Sequence, residues 1–238
     1  MSEPSAADVR VLIVVDSWDG HTRRAAEAVA EGVRREGATA TLRTSDAATR
    51  EDVRSHDALV TGSAVHQRTM TWRMKRFIDE VCEPVWFYDE VVGRAGAVFT
   101  TGGGHGKNGA GCEMTEIALM ANLAACGMVL VPMPKCTPGF ETAGMHWGPT
   151  LKGTDDGMHP IPAEDLADEK LEGFHHHGRN IARVAARLKG VELVTGNPWP
   201  DERTVEGRRQ GEEKAGITPD QRQRHMADPG EMTMATMP

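Results

Sequence analysis

Three short segments carry residue types that could do chemistry, and each sits where a buried strand gives way to a helix. The first is Asp16 to Thr22, with Ser17, Gly20 and Thr22 placed where a helix-period pattern begins. Free backbone N–H groups and the helix dipole make such a turn an anion site, and hydroxyls add neutral donors. A phosphate held there needs no Lys or Arg. The spacing S-x-x-G-x-T is neither the P-loop G-x-x-x-x-G-K-[ST] nor the dinucleotide G-x-G-x-x-G. It fits a mononucleotide phosphate. Taken alone, the segment also reads as an ordinary strand–turn–helix with a Ser/Thr cap.

The second segment is Gly62 to Met70. His66, Gln67 and Arg68 offer donors there, and Thr69 or Thr71 caps the helix that follows; a plain polar loop is the competing reading. The third, Thr100 to Gly111, holds six glycines between Gly102 and Gly111. Such density lets backbone approach a ligand closely. His105 in this loop is a donor or proton relay, or simply a solvated histidine. Aromatic residues are scarce, so Trp86, Phe87 and Tyr88 before the fourth strand, and Trp147 in GMHWGP, stand out as faces for a planar ring such as a flavin or quinone. No metal site is expected. His175, His176 and His177 point in different directions on a helix, and Glu141, His146, Asp155, Asp156 and His159 match no ligand spacing. No G-x-S-x-G elbow occurs.

The elements that must position these loops alternate regularly. Val11 to Val15 is an apolar strand, and the helix after it presents Ala25, Ala26, Val29, Ala30 and Val33 on one face. Further strands are predicted at Thr39 to Thr44, Ala58 to Thr61, Ala95 to Thr100 and Met128 to Met133. Helices are predicted at Thr71 to Val81, Glu113 to Ala125 and Glu164 to Leu188, with an irregular stretch from Pro134 to Pro162. Strand–helix alternation implies a parallel sheet with helices on both faces. Ligands of such sheets sit outside the carboxyl ends of the strands, where all three loops emerge.

The chain has 238 residues and a formal net charge of −8. That length suits one α/β domain with additions. The negative charge disfavours non-specific nucleic-acid binding. No apolar run of about 20 residues is present, so no transmembrane helix is expected, and the polar start MSEPSAADVR has no secretory h-region. Cys82, Cys112, Cys126 and Cys136 show no C-x-x-C spacing, consistent with free thiols in the cytoplasm. Residues 191–238 are rich in charge, Pro and Gly. They are expected as an extension packing on residues 1–190 or on a neighbouring subunit.

Four segments together resemble the WrbA-type flavodoxin-like NAD(P)H:quinone oxidoreductases: VLIVVDSWDGHTRRAAEAVAEGV, TTGGGHG, LAACGMVLVPM, and MHWGPTLKG with a final helix ending VAARLKG. The resemblance spans roughly Val9 to Gly190. It implies a flavodoxin-like three-layer sandwich with a five-stranded parallel sheet, bound FMN, reduction by NAD(P)H, and a homotetramer or dimer. Ser17, Asp19, Gly20, His21 and Thr22 would hold the FMN phosphate. Ala64, Val65, Gln67 and Thr69 would edge the isoalloxazine with His66 and Arg68. Thr100, Thr101, Gly102, Gly103 and Gly104 would meet the ribityl chain and pyrimidine side. Trp86 matches a family Trp beside the flavin, and Trp147 stands where a Tyr is usual.

Departures from the family pattern fall around the ring. The third-strand loop lacks the usual Pro-Thr start and reads Ala64-Val65-His66-Gln67-Arg68. Ala125-Cys126 replaces a His pair. The expectation is an FMN-dependent oxidoreductase passing two electrons to a quinone or similar small acceptor, with His66, Arg68 or His105 stabilising charge or delivering a proton. An electron-transfer flavoprotein serving a protein partner, or a non-catalytic scaffold, are the alternatives.

Overall fold

An all-apolar strand must be covered on both sides, and in β1 (Arg10–Asp16) every residue after Arg10 is buried. Val11, Ile13 and Val15 enter one core while Leu12 and Val14 enter the other, the period-two alternation of a strand. The computed structural model describes residues 5–105, 110–194 and 202–216. In it β1 lies in parallel between β2 (Thr39–Thr44) and β3 (Ala58–His66). β3 folds back into a short antiparallel partner, β4 (Thr69–Met70), and pairs in parallel with β5 (Ala95–Gly102). β6 (Val129–Leu130) pairs with the start of β5, and β7 (Thr150–Lys152) with its end. The trunk order is β2-β1-β3-β5-β6, and β4 and β7 raise the expected five strands to seven.

The helices are α1 (His21–Arg35), α2 (Arg50–Arg54), α3 (Trp72–Phe77), α4 (Glu83–Phe87), α5 (Cys112–Ala125), α6 (Phe140–Ala143), α7 (Asp168–Leu188) and α8 (Glu202–Lys214). One sheet face is covered by α1 through Ala25, Ala26, Val29 and Val33, and by α7 through Phe174, Ile181 and Ala185. Met74 and Phe77 of α3, Val85 of α4, and Leu119 and Leu123 of α5 cover the other. The result is the three-layer sandwich. Among the described residues no helix is long and apolar enough to cross a membrane.

Prolines explain two departures from the expected elements. The helix predicted over 71–81 is α3, then a π-helical turn over Ile78–Cys82, then α4. Pro84 has no N–H for the carbonyl four residues back and clashes with it, so the backbone widens there. The fifth strand, expected over 128–133, pairs only at Val129–Leu130. Pro132 and Pro134 cannot donate to a ladder, and β7 takes over the edge of β5. β3 is longer than expected, because Gln67 and Arg68 (φ 47° and 73°) form a two-residue turn that lets β4 pair back at Val65 and His66. The last helix starts at Asp168, after a 3-10 turn over Ala163–Asp165. In the extension α8 is helical and its described residues are mainly exposed; residues 195–201 and 217–238 lie outside the described residues.

α1 and α7 touch backbone to backbone. A Cβ on Gly32 would stand 1.9 Å from the His175 carbonyl oxygen, and one on Gly178 would stand 2.1 Å from that of Val29. Only hydrogen fits at either place. At one end Glu36 binds both Arg179 (2.6 Å) and Arg183 (2.8 Å). The Arg183 hydrogen bond, opposed by burial, keeps the Glu36 carboxyl below its ordinary range.

Two titratable groups are buried in opposite cores. His177 of α7 is fully enclosed without a good hydrogen-bond partner for either ring nitrogen, and desolvation pushes its pKa down to about 4. Glu116 of α5 is equally enclosed. Thr100 Oγ1 donates to its Oε1 at 2.9 Å, while Oε2 is unpartnered among the described residues. Desolvation raises this carboxyl well above its ordinary range, so it is held uncharged.

Gly178→Ala is expected to destabilise the domain by at least about 2 kcal/mol through overpacking against Val29, read as a drop in urea midpoint. The buried groups set opposite pH limbs. His177 is neutral in the fold, so its contribution is intact above about 6.5 and is lost as pH falls toward about 4. His177→Leu should flatten that acid limb. Glu116 has a raised pKa, so its contribution is complete below the ordinary Glu value of 4.5 and is lost as pH rises toward the folded value. Glu116→Gln should flatten the alkaline limb in the same urea series.

Candidate functional site

The carboxyl ends of β1, β3 and β5 converge on one cleft, where the chain order of a parallel sheet places its loops. Its walls come from Trp18, Asp19 and His21 after β1, Ala64 to His66 at the end of β3, and Thr101 to Gly103 at the end of β5. Gly153, Thr154 and Pro160 close it from the long insertion, around a volume of about 130 Å³.

The floor of the cleft is the start of α1. Gly20 is its N-cap, at φ 93°, a left-handed value that favours glycine, and this residue has no side chain with which to cap the helix. Ser17 Oγ accepts from the Arg23 N–H at 3.1 Å, and Asp19 Oδ1 accepts from the His21 N–H at 3.2 Å. The N–H groups of Gly20 and Thr22 have no protein partner among the described residues. They remain available at the positive end of the helix dipole. The Thr22 hydroxyl is paired with that of Thr101 at 2.7 Å, which locks α1 to β5 beneath the cleft.

His21 is held at both ring nitrogens. Nδ1 lies 2.7 Å from Asp19 Oδ2, and Nε2 lies 2.5 Å from the carbonyl oxygen of Ile161. Carboxylate and carbonyl both only accept, so the ring is clamped between two acceptor oxygens. Gly153 lies flat on the ring: a Cβ there would stand 2.9 Å from Nδ1. The insertion is thereby fastened over the first loop.

Alternation along β5 separates two neighbours that the sequence reading grouped together. Thr101 faces α1 and the cleft. Thr100 faces the opposite core, where its hydroxyl donates to Glu116. Its side chain is spent on that bond and does not point into the cleft. Asp19 lines the cleft and also accepts from the His21 N–H, with Oδ2 beside the His21 ring.

At the mouth, Trp18 is 77% exposed and stands edge-on to His66, with centroids 6.3 Å apart. Gln67 and Arg68 occupy the exposed turn beyond it, and Arg68 packs its backbone against Gly111. Thr69 is exposed on β4. Gly104 takes φ 86° just beyond the cleft wall, and His105 beside it is exposed. Trp86 lies on α4, edge-on to Phe87 at 6.4 Å; Phe87 meets Tyr88 at 5.0 Å, and Arg50 sits 4.7 Å above the Tyr88 ring. That cluster satisfies itself on the surface, away from the cleft wall. Trp147 is half exposed in the insertion, just before Gly148, which presses on the Val98 carbonyl.

Of the residues expected at the site, Asp19, His21, Ala64, Val65, His66, Thr101, Gly102 and Gly103 line the cleft, and Gly20, Ser17 and Thr22 build its floor. Arg68, His105, Trp86 and Trp147 are not among its walls. Trp18, Gly153, Thr154 and Pro160 were missed. The small residues of KGT after WGPTL were the available signal for the insertion's part. Among the described residues no three His, Cys, Asp or Glu side chains converge as a metal set.

Known proteins agree with this architecture. A family model described as flavodoxin-like fold matches residues 3–136. An NAD(P)H dehydrogenase (quinone) of Syntrophobacter fumaroxidans is 32% identical over 206 residues, covering 76% of this chain and 98% of that protein. A flavodoxin of Aquifex aeolicus is 30% identical over 178 residues, covering 74% of this chain and 87% of its own. Among solved structures, a WrbA-like flavodoxin from Agrobacterium tumefaciens superposes with a TM-score of 0.56 at 23% identity, covering 76% of this chain and all of that one, which speaks to fold alone. A family model matching over half the chain, and a near full-length relative above 30% identity, place this protein in the flavodoxin-like family, with relatives named NAD(P)H dehydrogenase (quinone).

Proposed function

We propose that this chain is an FMN-dependent NAD(P)H oxidoreductase that passes two electrons to a quinone or similar small conjugated acceptor. The observation that carries the reading is the cleft itself. It stands at the carboxyl ends of β1, β3 and β5, over the start of α1, where the N–H groups of the left-handed Gly20 and of Thr22 have no protein partner among the described residues, in a chain whose near full-length relatives are named NAD(P)H dehydrogenase (quinone).

The residues present fit FMN at the phosphate end. A dianion would meet the Gly20 and Thr22 N–H groups and the helix dipole, beside a His21 ring fixed by contacts at both nitrogens. The enclosed volume, about 130 Å³, is below that of a typical ligand pocket, roughly 300–1,000 Å³. It suits one end of the cofactor, with the planar part left toward the mouth. FMN supplies the two-electron relay between nicotinamide and acceptor, and the protein supplies orientation and electrostatics. Gly102 and Gly103 let backbone come close without a side chain in between. Trp18 offers an exposed aromatic face at the mouth. His66 is the one expected proton-handling residue on the cleft wall, so the catalytic proposal narrows to it from Arg68 and His105.

The flavodoxin relative keeps an electron carrier for a protein partner as the second reading. The Gly153 to Pro160 segment argues against it, because it covers part of the cleft that a carrier would leave open to its partner.

Flavin fluorescence titration should show saturable FMN binding. Gly20→Ala, strained at φ 93° and 3.1 Å from Ala163 Cβ, should weaken it about tenfold or more by misplacing the start of α1. His66→Ala should keep FMN bound while lowering quinone turnover roughly a hundredfold, the usual size of a proton-handling contribution. Unchanged turnover in that variant removes His66 from the chemistry, and absence of FMN binding overturns the reading.

A further inference from the structure

Behind the strap that closes the cleft lies a second, larger cavity of about 370 Å³, bounded by β7, the strap and the start of α7. Lys152 and Lys170 both line it. The Lys152 side chain is only 13% exposed, yet among the described residues its carboxylate neighbour is Asp156 at 3.5 Å, itself fully exposed. An ion pair with so solvated a partner contributes little. A largely enclosed ammonium without close compensation is costly. Lys170 Nζ donates to the Lys152 carbonyl oxygen at 3.3 Å, a long bond that brings the second ammonium into the same space. Thr154 adds a hydroxyl that is buried and without a partner among the described residues. Lys170 also lies in the first turn of α7, whose N-cap Ala167 provides no side-chain cap, so the helix dipole adds to the positive field. Asp168 and Glu169 of that turn face solvent. Asp155, the other acid on the cavity wall, is turned to His159, accepting from its backbone N–H at 2.8 Å and lying 3.0 Å from Nδ1.

We propose that this cavity is a site for a phosphate group, with Lys152 and Lys170 supplying charge and the Thr154 hydroxyl a neutral hydrogen bond. The mostly buried Lys152 side chain, the half-buried Lys170 ammonium bonded to its carbonyl and the orphaned Thr154 hydroxyl on one cavity wall are a donor set that a tetrahedral oxyanion satisfies. Asp156, fully exposed in its pair with Lys152, is displaced at little cost. The wall is shared: Thr154 borders both this cavity and the first cleft, and Ile161 borders the cavity while its carbonyl receives the His21 ring. A phosphate here sits one strand away from the cleft. Its source is either a phosphate carried by a nucleotide, such as the extra 2′-phosphate of NADPH, or free inorganic phosphate.

Calorimetric titration of the FMN-saturated protein with inorganic phosphate tests this, because the first loop is then filled. Saturable binding is expected, weakened about tenfold or more in Lys170→Gln and in Lys152→Gln, the loss of one charge-assisted hydrogen bond. Both variants should melt no lower than the parent in phosphate-free buffer, since removing a poorly paired ammonium relieves the fold; this separates lost binding from lost structure. Parallel titrations with NADP+ and NAD+ assign the source. A preference for NADP+ that disappears in Lys170→Gln points to the nucleotide, and phosphate binding without that preference points to the free ion. No saturable phosphate binding, or binding indifferent to both variants, overturns the proposal. Failure of the flavin reading shows separately, as protein that takes up no FMN; the phosphate titration of the two lysine variants is then run on the colourless chain with the same criteria.

Discussion

One imidazole holds the two halves of the cleft together. His21 is the first residue of α1, and its ring reaches Asp19 on one side and the Ile161 carbonyl on the other. The first contact fixes the loop that ends β1. The second spans 140 residues of sequence and pins the insertion. Everything at the site follows from that bridge: the flat seating of Gly153 on the ring, the closure by Thr154 and Pro160, and the shielding of the start of α1. An exposed hydrogen bond contributes little on its own, but this one is half-buried and organises a strap that otherwise has few apolar anchors. Asp19 stands on the cleft wall and at the same time aims His21.

The fold beneath the site depends on closeness. Gly32 and Gly178 bring α1 and α7 into backbone contact, and the Thr22–Thr101 pair ties the same helix to β5. α1 is thus fixed along its length, which holds its amino end rigid under the cleft. Two buried groups flank this frame, His177 against one sheet face and Glu116 against the other. Both are held neutral by desolvation. Glu116 touches the site only through Thr100, whose hydroxyl it receives.

Local pattern made the trunk of the sheet legible. The apolar run Val11 to Val15 and the helix-period alanines after it specify β1 and α1, because period and burial are properties of neighbouring residues. The three loops at the strand ends followed from that alternation. Other features depend on partners distant in sequence. Nothing near Glu116 marks it as enclosed, since only the packing of α5 on β5 buries it. The Gln67–Arg68 turn lacks the Asn-Gly signature of a two-residue hairpin, so the sequence around β4 has the pattern of a loop. Thr100 and Thr101 differ only in which face of β5 they occupy, a matter of register. The strap over the cleft depends on a contact between residues 21 and 161. Pro84 and Pro132, by contrast, were visible, and their effect on the π-helical turn and on β6 follows from a missing N–H.

The central claim is that this cleft holds FMN and receives electrons from a nicotinamide. Anaerobic titration of the FMN-loaded protein with NADPH and NADH, followed in the visible spectrum, tests it most directly. The yellow protein should bleach with one equivalent of reductant per bound FMN and regain its colour when benzoquinone is added. A loaded protein whose spectrum ignores both nucleotides would contradict it.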